Sequence, residues 1–255
     1  MKVSRLTEKI KESNAKGRTA LVPFLPGGYP DLDKFWDEII ELDKNGADVI
    51  EIGMPFSDPV ADGPVVEAAS LKSLENGVNL KWIISGLKGC RDKIDAGVLL
   101  MGYLNPVLQY GIEQFAKDAQ EAGVDGLIIA DMPYEEGVEI KKILAEHDIS
   151  LVPLVGLNTS RERMKLYAKD ATGFVYFVSV LGTTGDRDTL PEDVKKGLEM
   201  AQELFDIPVA LGFGLKRPEQ LVALDGLVDA AVFGSALIRH VEAGKSCREF
   251  MEIWK

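Results

Sequence analysis

The chain has 255 residues, 46% hydrophobic and 27% charged, a length that fits one large α/β barrel or two ordinary domains and supplies a sizeable core. Its 29 Lys and Arg against 41 Asp and Glu leave a formal charge of -12, which argues against nucleic-acid binding; any phosphate site must be local. No run reaches membrane-spanning length, Met1 to Ser13 lacks the apolar core of a signal peptide, and Cys90 and Cys247 lie far apart without a CxxC, so reduced thiols in a cytoplasmic protein are expected.

In chain order, apolar spacing predicts a leading helix over Ser4 to Asn14. Eight short strands rich in Val, Ile and Leu follow: Thr19 to Leu25, Asp48 to Gly53, Gly97 to Tyr103, Gly126 to Asp131, Ser150 to Leu157, Gly173 to Val180, Pro208 to Gly212 and Ala230 to Phe233. Between them, Asp31 to Asn45, Val65 to Glu75, Gly111 to Ala122, Tyr134 to His147, Ser160 to Ala168 and Pro191 to Leu204 read as helices. Asn45-Gly46-Ala47-Asp48 and Ala122-Gly123-Val124-Asp125 repeat one phrase, a glycine that ends a helix and an aspartate that opens a strand. The strands are apolar on both faces, as parallel strands covered by helices are. Eight such units predict a (β/α)8 TIM barrel that takes residues 1–255 as one domain, the leading helix capping one end. An open doubly wound sheet is the competing architecture.

Function in a barrel lies just after the strands. There the polar candidates are Glu51, Asp131 and Tyr176. A carboxylate inside Val49-Ile50-Glu51-Ile52 either points into the barrel mouth or is buried at a cost, and burial moves its pKa toward the range of general acid–base catalysis. A structural carboxylate held by backbone donors is the other reading. The following loop is stiffened by Pro55, Pro59 and Pro64 and directs Asp62 toward the same cavity, unless Asp62 caps the next helix. Ser179 to Arg187, rich in glycine and small hydroxyl residues, reads either as a lid or as a plain connector. Gly212-Phe213-Gly214 and Gly234-Ser235 follow the last two strands, where barrels hold phosphate on backbone amides. His147 and His240 fall at helix ends and Lys216 faces solvent, so neither a His-rich metal site nor a lysine imine is expected and the chemistry is left to carboxylates.

The run Glu51-Ile52-Gly53-Met54-Pro55-Phe56-Ser57-Asp58-Pro59-Val60-Ala61-Asp62-Gly63-Pro64 resembles the signature of tryptophan synthase α subunits. Leu21-Val22-Pro23-Phe24, Ala130-Asp131-Met132-Pro133, Gly212-Phe213-Gly214 and Gly234-Ser235-Ala236 resemble further parts of that family. The resemblance implies a lyase of tryptophan biosynthesis that splits indole-3-glycerol phosphate into indole and glyceraldehyde 3-phosphate, without metal or cofactor, through Glu51 and Asp62. It implies an indole site at Phe24, Leu100, Ile128, Ala130, Leu154, Tyr176 and Phe213, phosphate near Gly185, Gly214, Gly234 and Ser235, and a lid at Thr184. It also implies a β subunit as partner in an α2β2 assembly, with pyridoxal phosphate on that partner alone. Gly102-Tyr103-Leu104-Asn105 departs from the family's more usual Tyr-rich phrase. Three alternatives stay open: another phosphate-binding barrel enzyme such as a sugar-phosphate isomerase or aldolase, a stand-alone indole-3-glycerol-phosphate lyase, and a non-catalytic regulatory barrel subunit.

Overall fold

The computed structural model describes residues 3–179, 191–212, 219–222 and 226–254. The first part of the chain runs through α1 (Arg5–Asn14), β1 (Ala20–Pro26), α2 (Phe35–Lys44), β2 (Val49–Gly53), α3 (Pro64–Glu75), α4 (Leu80–Cys90) and β3 (Gly97–Gly102). It continues through α5 (Leu104–Tyr110), α6 (Ile112–Ala122), β4 (Gly126–Ile129), α7 (Tyr134–Glu146), β5 (Ser150–Leu151), β6 (Leu154–Gly156) and α8 (Arg161–Ala168). The remainder forms β7 (Val175–Val178), α9 (Glu192–Leu204), β8 (Val209–Gly212), α10 (Glu219–Val222), β9 (Ala230–Phe233), α11 (Ser235–Glu242) and α12 (Cys247–Ile253). None of the described helices is long and apolar enough to cross a membrane.

All strand pairs are parallel, in the order β5-β4-β3-β2-β1-β9-β8-β7-β6. The two ends of this row, β5 and β6, are separated in the chain only by Val152 and Pro153. The Val152 N–H donates to the Leu127 carbonyl at 2.9 Å, and the Pro153 carbonyl accepts from the Tyr176 N–H at 3.0 Å, so the row closes on itself as the expected barrel. The strand expected over Ser150 to Leu157 is thus two pieces. Pro153 has no N–H to carry the ladder onward, and proline divides a strand for that reason.

Closure sorts the apolar side chains into two shells. The inner one contains Ala20, Val22, Val49, Leu99, Ile128, Val152, Phe174, Ala210, Ala230 and Val232, together with Leu6 and Ile10 from α1, which are 0% exposed. The leading helix therefore plugs the end of the barrel where the strands begin, as the sequence implied. Alternate strand residues such as Ile50, Ile52, Val98, Leu127 and Phe177 pack outward against the helices. In α6, for example, Phe115, Ala116, Ala119 and Ala122 form the buried stripe, and Gly123 at φ 79° stops the helix in the left-handed region. Gly46, its counterpart after α2, has φ 102°.

The repeated aspartates secure the same end. Asp48 and Asp125 each accept an N–H from the strand before, Leu21 and Val98 respectively, at 2.8 Å. Arg18 pairs with the first and Arg91 with the second. Asp229 repeats the device on Val209 at 2.7 Å, a third copy of the pattern. Cys90 and Cys247 are both buried and free.

Candidate active site

Val49 belongs to the inner shell, so by alternation Glu51, two residues on, also faces the barrel axis. It is 0% exposed, and neither carboxyl oxygen has a hydrogen-bond partner among the described residues. Burial first, and then the nearby Asp62, push its pKa from 4.5 up to about 8. The alternative of a structural carboxylate satisfied by backbone donors is not what β2 builds.

Asp62 does not cap a helix: α3 begins at Pro64 behind Gly63 and has no side-chain cap. Tyr103 stands beside Asp62 on the wall of one cavity, and its hydroxyl acts on the carboxylate. Burial raises the Asp62 pKa to about 6, the Tyr103 hydrogen bond works against that rise, and Glu67 adds to it. The loop is tied to itself, with the Val60 N–H on the Asp58 carbonyl at 2.9 Å, the Asp62 N–H on the Pro59 carbonyl at 3.0 Å and the Ser57 hydroxyl on the Asp58 carboxylate at 2.5 Å.

Asp62 lines a cavity of about 260 Å³ together with Phe24, Gly53, Met54, Ser70, Met101, Gly102, Tyr103 and Ala130. Glu51 is beside it, in register with Phe24 on the neighbouring strand. Gly53 leaves room for that ring, since a Cβ there would stand 2.8 Å from Phe24 Cζ. Tyr176 faces the pair from β7, and burial, then Glu51 and Asp62, hold its hydroxyl pKa well above the usual value. Leu154 lies in register with Tyr176, and Ile128 belongs to the inner shell below. Leu100 is different. It packs in the outer shell, and Met101 turns inward to line the cavity.

Where the sequence places the phosphate, α11 begins at Ser235 behind Gly234, which turns the first N–H groups of the helix toward the barrel mouth. Gly234 adjoins the ring wall, with Phe24 Cδ1 3.5 Å from where its Cβ would be. Thr184, Gly185, Phe213, Gly214 and Lys216 lie outside the described residues, as does the lid segment from Val180 to Arg187. Asp131, the remaining polar strand-end candidate, accepts the Leu104 N–H at 2.8 Å and so caps α5. His147 Nδ1 meets Gln120 at 2.8 Å, and His240 packs edge-on against Phe250; both stand away from the mouth.

A larger cleft of about 750 Å³ opens on the flank of the barrel, between α7 and α8 beside β4 and β6. It contains the Lys141–Asp170 ion pair rather than paired carboxyls, and it shares only Ala130 with the cavity under Asp62. Met101 and Tyr103 are the mouth residues that sequence reasoning passed over. Counting inward positions along β3 from Leu99 would have found Met101.

Fold and mouth together define the class: a (β/α)8-barrel enzyme with carboxyl groups, not histidines, at its strand ends. Comparison with known proteins narrows it. The family model described as tryptophan synthase alpha chain matches residues 10–252. The tryptophan synthase alpha chain of Maridesulfovibrio salexigens is 70% identical over 255 residues, covering 100% of both chains, and that of Solidesulfovibrio magneticus is 56% identical with the same coverage. Among solved structures, Mycobacterium tuberculosis tryptophan synthase superposes with a TM-score of 0.90 at 30% identity, over 99% of this chain and 96% of that one. The Legionella pneumophila alpha chain gives 0.88 at 30% identity, over 99% and 95%. The chain belongs to the tryptophan synthase alpha chain family.

Proposed function

We propose that this chain cleaves indole-3-glycerol phosphate to indole and glyceraldehyde 3-phosphate, with Glu51 and Asp62 as its acid–base pair. The observation that carries the reading is their inequality. With pKa values of about 8 and about 6, Glu51 is mainly protonated and Asp62 mainly ionised near neutral pH. Glu51 donates a proton to ring C3, and the charge that develops on the ring is balanced by Asp62 at the indole N–H. The bond from C3 to the glycerol side chain then breaks, and its electron pair returns to the ring. The hydroxyl on that carbon gives up its proton to Glu51 as the aldehyde forms, so the proton count closes. The ring is its own electron sink, which is why no lysine imine, metal or cofactor is needed on this chain.

Phe24, Met101, Ala130, Leu154, Ile128 and Tyr176 support the ring, and Gly234 and Ser235 support the phosphate through the start of α11. Gly185, Phe213, Gly214 and the Thr184 lid complete the site in the reading from sequence, and Met101 takes the place on the ring wall that this reading gave to Leu100. The chain works as one cytoplasmic barrel domain. Its partner is a β subunit in an α2β2 assembly, and that partner carries the pyridoxal phosphate. Relatives solved as tryptophan synthase support this pairing, as do Val60, 85% exposed, and Leu108, 51% exposed, on the segments that follow β2 and β3.

The test is release of glyceraldehyde 3-phosphate by the purified chain. Glu51→Gln keeps shape but loses the proton, and cleavage should fall by at least about a hundredfold while substrate still binds; Asp62→Asn should show a comparable loss. The parent's rate should follow a bell in pH, its acid limb set by Asp62 near 6 and its alkaline limb by Glu51 near 8. Near-parental turnover in either variant would refute the assignment.

A further inference from the structure

We infer that Tyr103 is the positioning residue of the mouth: its hydroxyl clamps the tip of the loop after β2 and holds the Asp62 carboxylate where the ring N–H must meet it. This deepens the reading of Asp62 proposed above and rests on it. Asp62 sits at the end of a loop whose internal bonds fix its backbone but not its side chain. Tyr103 is 2% exposed, and its hydroxyl accepts the Ala61 N–H at 3.0 Å, beside Asp62 on the wall of the same cavity. An amide N–H only donates, so the single hydroxyl proton is left to go to the carboxylate. One oxygen thus serves two successive residues, accepting from Ala61 and donating toward Asp62, and the second interaction is strongest when Asp62 is ionised.

The clamp is itself anchored on both sides. Before it, the Met54 N–H donates to the Met101 carbonyl at 2.6 Å and locks the exit of β2 to β3. After it, Asp131 at the end of β4 holds the Leu104 N–H at 2.8 Å. The Tyr103 ring rests against Phe56 with centroids 5.2 Å apart. The segments that follow β2, β3 and β4 therefore converge on this phenol.

The titratable groups around this corner are coupled: Glu67 from α3 acts on Asp62, Asp62 in turn acts on Glu51 of β2 and Tyr176 of β7, and Asp131 acts on Tyr103. Burial and Glu67 oppose ionisation of Asp62, and the Tyr103 hydrogen bond favours it. Removing the hydroxyl leaves the opposing influences alone, so Asp62 would take up a proton at higher pH.

The experiment is Tyr103→Phe in the full chain, which keeps the ring and deletes only the oxygen. We expect kcat to fall about tenfold or more with KM changed by less than about threefold, and the acid limb of the pH profile to move upward. Hydrogen exchange at the Ala61 amide should quicken, and the Asp62 carboxyl should titrate at higher pH by NMR. Unchanged exchange together with an unchanged acid limb would overturn the clamp, since loss of packing alone moves neither. Because exchange and titration need no turnover, they judge the clamp even if Asp62→Asn proves fully active and the functional reading fails.

Discussion

A buried carboxyl group is a burden on the folded state, and Glu51, without a hydrogen-bond partner among the described residues, carries it at the centre of β2. Its folded pKa of about 8 lies above the ordinary 4.5, so between these values the unfolded chain loses a proton that the folded chain keeps. Stability therefore falls as pH rises through that window, and Asp62, raised to about 6, adds to the fall in the lower part of it. Glu51→Gln, which stays neutral, should consequently be more stable than the parent, by little at pH 5 and by roughly 2–4 kcal/mol at pH 8, although it is expected to be inactive. Thermal unfolding of both chains at the two pH values checks this; equal midpoints at pH 8 would mean that Glu51 is not desolvated. Glu51 was legible beforehand because a charge inside an apolar strand contradicts its surroundings. Tyr103 was not, because a phenol after a strand is unremarkable until Ala61 and Asp62 fold back onto it. Leu100 and Met101 exchange roles for a simpler reason: resemblance names positions, whereas the direction of a side chain depends on counting along the strand from a known inward residue.

At the scale of elements, α11 is the best place to probe the far end of the ligand. Its first residue, Ser235, is partly exposed, so Ser235→Asp should leave the fold nearly unchanged. The new charge would face a bound phosphate and weaken affinity by about tenfold or more. Calorimetric titration with substrate or inorganic phosphate reads this directly, and equal affinity would move the phosphate site elsewhere. The helices and strands were largely readable because their apolar periods differ, 3.6 against 2. The break at Pro153 was less so: the surrounding residues are as apolar as any strand, and only the missing N–H divides them. The aspartates at 48 and 125 were seen as strand openers, but that each reaches an amide on the strand before becomes evident only when the barrel brings neighbouring units into register.

On the scale of the whole molecule, the exposed Val60 and Leu108 follow the same strand ends that carry Asp62 and Tyr103. Titrating the chain with a cognate β subunit while following glyceraldehyde 3-phosphate should therefore give faster cleavage, and changes at Asp58 or Pro59 should reduce the gain. No complex and no change in rate would favour a stand-alone lyase. The closed barrel itself was predictable from the count of strands, and its plug from the leading helix; what composition could not specify is how deeply that plug is set. Leu6 and Ile10 are both sealed from solvent inside the inner shell. The barrel is accordingly a cup and not a pipe. Ligand and product must share the one rim, so a protein seated there would stand astride both entry and exit, and could govern the order of turnover without touching a reacting atom.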